Sequence, residues 1–556
     1  MQQRHGGIKR FMIGEDVIVE EPSGAFTRAL FASTAGPLSP ASLTRALGSP
    51  RSAGPLLRFG RMFKTPHLQE YRPPSRALIE LGEAMAKSPQ EAELDSRLPA
   101  GYTYLGQFVD HDLTFDIDAR LTTTDELING ASAPELVVNA RSPSLDLDSL
   151  YGCGPESESS LPDHRKMYQA DGASFRVGNT TRDPDGGVLS SFPNDLPRGA
   201  NPVGAVASRA IIPDPRNDEN LPVAQTHVAF IRFHNAVVRS LRARHPGADL
   251  FKQARERVVR HYQWIVLRDF LPRIIDEGVL DDVVVNGLRH CGPEPDGSFL
   301  IPFEFAFAAY RLGHSLVRDS YDWNSAQSPP GRPTGLTDLF RQIGFPNGTL
   351  QANRQLLSAW IIDWRRFFDL RGYEGVPPGP GLNLSRKIDA TISGPLLDLP
   401  FLGHADQEHR SLAVVNLLRG RLIGLPAGQS VAERVGVENP LTSEEIAGGR
   451  QREVLERHGL HALTPLWFYI LKEAEVRGGG ERLGPVGSRI VAETFVGAIK
   501  NSSISILPKE TSGGPVWGPG ADPLDPERER PERFTMSDLL YFVQRGEQGE
   551  FLNPVG

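Results

Sequence analysis

Cysteine is almost missing from this chain: Cys153 and Cys291 are the two in 556 residues. That excludes a disulfide framework, although one bridge between them stays open. A reducing compartment is the simpler expectation. Long apolar runs are also lacking. None approaches the ~20 residues that a membrane helix needs. Met1 to Glu20 carries basic residues but no apolar core of signal-peptide length. No signal-peptide route is therefore expected, and the compartment stays open between cytoplasmic and secreted by another route. Positive charge is in deficit, with 60 Lys+Arg against 68 Asp+Glu and a formal net charge of -8. That argues against nucleic acid or an anionic membrane as the main partner. Strand signals are few and no internal repeat is visible, so the class is mainly α with little β.

Glycine (56) and proline (46) are frequent and spread along the chain, which implies long loops between helices. Residues 1–54 are polar and read as an N-terminal extension. Residues 55–510 read as one large domain. Residues 511–556 read as a Pro/Gly-rich linker and a short last helix. Apolar periodicity predicts helices over Pro73–Lys87, Val223–Arg244, Ala254–Ile275, Pro302–Arg318, Leu412–Arg421, Leu466–Val476, Val486–Lys500 and Thr535–Gln544, with amphipathic helix within Asp338–Phe368. Residues 155–205 read as a surface excursion.

The stretch Tyr102 to Asp116 stands at the centre of this pattern. On a helix, Gln107, Asp110 and His111 fall at i, i+3 and i+4 and share one face. Asp112 lies about 100° round from His111. One short helix thus offers an amide, a carboxylate and an imidazole to one side and a second carboxylate to another. A solvated polar cluster would look the same. Ser142, Ser144, Asp146 and Asp148 alternate along the next loop. In extended chain alternate side chains point one way, and calcium takes roughly six to eight such oxygens. An acidic turn explains them equally well. Arg216 and Glu219 lie three apart at a helix entrance, where capping residues are ordinary. Arg311 and His314 are three apart on an apolar segment, and Asn416 sits among aliphatics beside Arg419 and Arg421. A buried amide of that kind needs a partner.

Taken in order, Gln-x-x-Asp-His-Asp, Ser-x-Ser-x-Asp-x-Asp, Arg-x-x-Glu, Arg-x-Gly-His and Asn-x-x-Arg-x-Arg resemble the animal-type haem peroxidase family, bacterial members included. The resemblance covers roughly residues 55–500. It implies a mainly α, single large helical domain binding haem b and Ca2+, with hydrogen peroxide and a small halide, thiocyanate or phenolic donor as partners. It gives His111 the distal histidine, Gln107 the halide-pocket amide and Arg216 the distal arginine. Asp110 and Glu219 match the carboxylates that form esters to haem. His314 matches the iron ligand, Asn416 its hydrogen-bond partner, and Arg311 and Arg419 the propionate contacts. Asp112, Ser142, Ser144, Asp146 and Asp148 match the calcium site.

Three departures stand beside the likeness. Asn220 follows Glu219 and no methionine matches a sulfonium link, so at most two covalent haem bonds are expected. Asp148 stands where many members carry serine. Leu422-Ile423-Gly424 replaces the usual Asp-His-Gly. Two alternatives remain open: a fatty-acid dioxygenase sharing the fold, and a catalytically silent scaffold. The dioxygenases place a radical tyrosine three residues before the iron ligand. Here Arg311 holds that position and Tyr310 lies four before His314. A silent scaffold would be expected to have lost His111, Arg216 or His314.

Overall fold

The computed structural model describes residues 10–13, 16–19, 58–63, 68–88, 94–116, 137, 139, 141–152, 154–155, 165–185, 187–199, 210–244, 249–295, 297–343, 355–399, 411–509, 513–521, 523–524, 533–546 and 551–555. Cys153 and most of the N-terminal extension lie outside them. The expected class holds. The described residues are mainly helical, and their strands form two-stranded antiparallel pairs, such as Asp95–Pro99 with Leu384–Arg386.

The principal helices are α1 (Ser75–Ala84), α2 (Gly101–Leu113), α3 (Leu221–Arg244), α4 (Leu250–Ile265), α5 (Phe303–Ala306), α6 (Gly313–Leu316), α7 (Leu412–Ile423), α8 (Leu466–Gly478), α9 (Pro485–Asn501) and α10 (Met536–Gly546). Helix α3 is buried along most of its length, which explains why its apolar residues go all round. It packs against α2, α4 and α10, so the C-terminal helix closes onto the same core rather than standing apart. Phe108 of α2 stacks on Phe230 of α3 with centroids 4.7 Å apart. Full burial of such a ring is worth roughly 1.5–3 kcal/mol.

Two glycines set close approaches. At Gly101, the first residue of α2, a Cβ would lie 2.3 Å from the Phe368 ring and 2.6 Å from the Phe367 carbonyl. At Gly82 a Cβ would meet the Val414 backbone at 2.8 Å, so α1 lies directly on α7. Both contacts are shorter than any side chain tolerates.

Three sequence expectations change. Pro302–Arg318 is not one helix: α5 ends at Ala306, Ala309–Leu312 makes a 3-10 turn, and α6 follows. Ala308 breaks it with φ -137° and ψ -76°, outside the helical region. Within Asp338–Phe368, helix Leu336–Arg341 and two short 3-10 turns are what the described residues form. Residues 155–205 are not merely superficial, because Met167, Tyr168, Phe175 and Leu196 are core residues. Helix α3 ties this segment down: Asn235 accepts from the Phe175 N–H at 2.7 Å and donates to the Phe175 carbonyl at 2.9 Å.

Candidate active site

Helix α2 places Gln107, Asp110 and His111 along one cavity, as the i, i+3, i+4 spacing required. The cavity holds about 350 Å³ and is also lined by Arg216, Glu219, Tyr310, Arg311, His314 and Arg419. That volume is within the usual range for a small-molecule or cofactor site, ~300–1,000 Å³. Residues from four separate stretches of sequence thus meet at one place.

The orientation of His111 is fixed from behind. Its Nδ1 donates to Oδ1 of Asn217 at 2.8 Å, and Nδ2 of Asn217 donates to Nδ1 of His227 at 3.0 Å. An amide oxygen can only accept, so the ring proton is on Nδ1 and the Nε2 lone pair is left over. Burial, and then the Arg216 guanidinium, pull the His111 pKa down to about 3, so the ring is neutral near pH 7. Nε2 lies 3.7 Å from Oε1 of Glu219. That same oxygen accepts from Nε2 of Gln107 at 2.6 Å, while Oε1 of Gln107 accepts from Asn220 at 3.0 Å. Burial pushes Glu219 up to about 7 and raises Asp110 as well. Asp110 accepts from the Thr114 hydroxyl at 2.9 Å.

Arg216 is held by Asp214, a residue the sequence reading passed over. Nη2 donates to Oδ2 of Asp214 at 2.7 Å and to the Thr114 carbonyl at 2.7 Å, and Nε donates to Oδ1 at 3.1 Å. The guanidinium lies 4.2 Å over the Phe115 ring. None of these bonds uses Nη1. Asp214 is fully buried and also pairs with buried Arg141, whose Nε donates to the His111 carbonyl at 2.8 Å. The two guanidiniums hold the Asp214 carboxyl far below its ordinary range. Asp214 between two prolines carried a helix-cap signal, and nothing in that pattern named its arginine partners.

His314 meets Asn416 of α7, with Nδ2 of the amide 2.7 Å from Nδ1 of the ring. In this arrangement the amide donates and the ring proton sits on Nε2. A half-turn of the carboxamide puts Oδ1 in that position, moves the proton to Nδ1 and frees Nε2. Burial, then Arg311 and Arg419, hold the His314 pKa well below the ordinary value. Nε of Arg311 donates to the Ala306 carbonyl at 2.8 Å. Arg419 has its pKa lowered by burial and, less, by Arg311.

The acidic loop lies behind α2. The Asp112 carboxylate accepts from the Leu147 N–H at 2.9 Å and the Ser149 N–H at 3.3 Å. Leu147 takes a left-handed φ of 58° to allow this. The Ser142 hydroxyl donates to Asp148 and the Ser502 hydroxyl to Asp146, while Asn501 donates to Oγ of Ser144 at 3.1 Å. The loop is therefore assembled against α2 and α9. Burial, then Asp148, push Asp112 up to about 8, and burial pushes Asp146 up to about 6. Among the described residues no three His, Cys, Asp or Glu side chains stand in metal-holding geometry.

The chain belongs to the animal haem peroxidase family, whose model matches residues 119–498. That span begins after His111, so helix α2 is tied to the site by its geometry. The chain is 28% identical to thyroid peroxidase of Sus scrofa over 384 residues, 65% of this chain and 38% of that protein. Its fold is similar to peroxidase A of Dictyostelium discoideum, with TM-score 0.59, 18% identity, and 90% and 94% of the two chains covered. A fatty acid alpha-dioxygenase of Oryza sativa, solved with palmitic acid, is similar with TM-score 0.50 and 13% identity over 82% and 80%. At these identities the structural likenesses show the fold alone. The chain spans 17% to 48% of the length of the curated relatives it matches.

Proposed function

We propose that this chain is a haem peroxidase that uses hydrogen peroxide to oxidise small halide, thiocyanate or phenolic donors. The observation that carries the reading is a pair of neutral imidazoles, His111 and His314, lining one cavity, each with Nδ1 on an asparagine amide. A haem b group suits the residues present: two imidazoles, three carboxylates (Asp110, Asp116 and Glu219) and three guanidiniums around one largely apolar cavity. When bound, it supplies the redox-active iron that takes up the oxidising equivalents of peroxide.

His314 would hold the iron through Nε2, with the Asn416 carboxamide turned so that Oδ1 accepts the Nδ1 proton. Arg311 and Arg419 meet the propionates by charge-assisted hydrogen bonds. At His111 the free Nε2 takes the proton from the inner peroxide oxygen and returns it to the outer one. Asn217 retains the Nδ1 proton throughout, so the ring keeps its orientation. Nη1 of Arg216 stabilises the charge that develops as the O–O bond breaks. Gln107 contributes its amide to the donor pocket. Asp110 and Glu219 would form ester links to haem methyl carbons, each new C–O bond replacing a methyl C–H bond, with two electrons passing to hydrogen peroxide and the proton released to water. Ester formation removes two carboxylates that burial makes costly when ionised.

Calcium binding by Asp112, Ser142, Ser144, Asp146 and Asp148 is part of the same reading. What supports it is that Asp148 and Asp146 both repel the buried Asp112 carboxylate, a repulsion that a divalent cation would relieve; the side chains would have to close on the ion, since they do not stand in metal-holding geometry without it. Exhaustive chelation that leaves both stability and turnover unchanged would remove calcium from the account.

The test is reconstitution of the full chain with haem. One equivalent should bind with a Soret band, and a chromogenic phenol should turn over with peroxide. A chain that stays colourless would favour the scaffold alternative. The dioxygenase alternative has less support. Tyr310 donates its hydroxyl to the Gly106 carbonyl at 3.1 Å, and Arg311 occupies the place three before His314. Peroxide-independent oxygen uptake with a fatty acid would reverse that preference.

A further inference from the structure

Tyrosines Tyr102, Tyr104 and Tyr310 all line the cavity, and their hydroxyls have very different surroundings. The Tyr310 hydroxyl donates to a backbone carbonyl, which cannot take its proton. The Tyr104 hydroxyl is buried against a second phenol, Tyr321, with no carboxylate facing it. The Tyr102 hydroxyl faces both carboxylate oxygens of Asp269, at 2.9 and 2.8 Å. Asp269 lies in a π-helical turn, Val266–Phe270, that follows α4. Such turns recur at functional sites because they re-aim side chains. Here the turn aims Asp269 at Tyr102 and places Phe270 in the cavity wall.

A second tyrosine–carboxylate pair lies beside the first. The Tyr373 hydroxyl donates to Asp538 at 2.7 Å. The first turn of α10 joins the two carboxylates: the Met536 N–H donates to Asp269 at 2.9 Å, and Asp538 lies two residues further on. Through Asp269 and Asp538 the two phenols face the same first turn of α10. The Tyr373 ring packs on Tyr541, centroids 4.9 Å apart, and Tyr541 is part-exposed. The row runs from the cavity to the surface, and its first two members each have a proton acceptor.

We propose that Tyr102, Tyr373 and Tyr541 form a relay that carries oxidising equivalents from the cavity to the surface, for one-electron donors too large to enter. The relay rests on the peroxidase reading, which supplies the oxidant, a peroxide-oxidised haem. In the first step Tyr102 loses one electron to that oxidant, its O–H bond breaks and the proton passes to Asp269. Next, Tyr373 gives one electron to Tyr102 and its proton to Asp538, while Tyr102 recovers its proton from Asp269. Tyr541 then gives one electron to Tyr373, which recovers its proton from Asp538, and the Tyr541 proton leaves to solvent. A surface donor returns one electron and one proton to Tyr541. Two such cycles reduce one peroxide to two waters. An ionised phenol would need no acceptor. Burial and the neighbouring carboxylates hold both Tyr102 and Tyr373 above the ordinary phenol pKa, so each must lose a proton as it is oxidised.

Arg273 also holds Asp269, its Nε and Nη2 donating to Oδ1 at 3.0 and 2.8 Å, and its guanidinium lies 4.5 Å over the Tyr102 ring. The simpler role for this Tyr102–Asp269–Arg273 cluster is to anchor α10, and a radical signature separates the two. Haem-loaded full chain would be mixed with peroxide, freeze-quenched for EPR, and in parallel treated with a nitroso spin trap and digested. The expected result is a tyrosyl signal with the trap on Tyr541. Tyr541→Phe, a surface change, should lose that adduct and slow oxidation of a phenol tethered to high-mass dextran by roughly tenfold or more, with free phenol unchanged. Tyr102→Phe should lose the adduct too, and Tyr104→Phe should keep it. The relay is overturned if haem-loaded Tyr102→Phe and Tyr541→Phe show the wild-type radical, the same trap yield elsewhere and undiminished dextran-phenol oxidation. A chain that takes up no haem overturns the peroxidase reading and the relay together.

Discussion

Asn416 and His314 meet at 2.7 Å, across 102 positions of sequence, and no other feature of α7 explains an amide among its aliphatic residues. If the pair orients an iron ligand, Asn416→Leu should fold, because leucine is close in volume and the site is apolar. Haem retention, measured by transfer to an apo-globin acceptor, should weaken by about 10–100-fold. Unchanged retention would reduce Asn416 to a satisfied core amide.

Asp214 is the hinge of the distal wall. It is the buried counter-charge of both Arg141 and Arg216. Asp214→Asn should cost about 3–5 kcal/mol in denaturant unfolding, since it leaves buried guanidiniums uncompensated. Peroxide turnover should fall as well, because Arg216 would lose the contact that aims it. A loss under about 1 kcal/mol would mean that water replaces the carboxylate, as at exposed pairs.

Glu473 gives a pH dependence that does not involve haem. It is buried, accepts from the Val486 N–H at 2.9 Å at the start of α9, and burial pushes it up to about 7 from an ordinary 4.5. Between those values the folded chain binds the proton and the unfolded chain does not. Stability from this group is therefore full below about pH 4.5 and is lost as pH rises through about 7. Glu473→Gln should gain on wild type between pH 5 and 8 by on the order of 2–3 kcal/mol in denaturant unfolding. A gap that does not move with pH would contradict the assignment.

Asp110 and Glu219 set the covalent prediction. After peroxide treatment, haem should resist acid–organic extraction, and peptides containing Asp110 and Glu219 should carry its mass. With Asp110→Ala and Glu219→Gln together it should extract freely, while turnover persists through His111 and Arg216. Fully extractable haem in the treated wild type would leave both carboxylates without this role.

Helices α3, α7 and α9 were legible as long, largely apolar segments with no proline beyond the first turn, and α2 from the spacing of its polar face. The segment before His314 was apolar enough to read as helix, yet Ala308 turns out of it, and composition carries no signal for such a break. The spacing on α2 put Gln107, Asp110 and His111 on one face without help from the rest of the chain. The partners that give them chemistry, Asn217, Asp214 and Arg141, come from elsewhere in the sequence. Polar residues at turns and caps have local explanations, so only packing singles out the ones that reach the site. The oxygens of the 142–148 loop were legible as a group. That Asp146 is bonded to Ser502 and Ser144 to Asn501 was not, because α9 lies far along the chain.

On the peroxidase reading, His111 moves a proton at a haem held by His314. The most direct measurement is the stopped-flow rate of hydrogen peroxide with haem-loaded wild type and with His111→Ala. The variant should still bind haem, since His314 and Asn416 are intact, and its rate should fall by about 10²–10⁴-fold. Equal rates in the two haem-loaded proteins would contradict it.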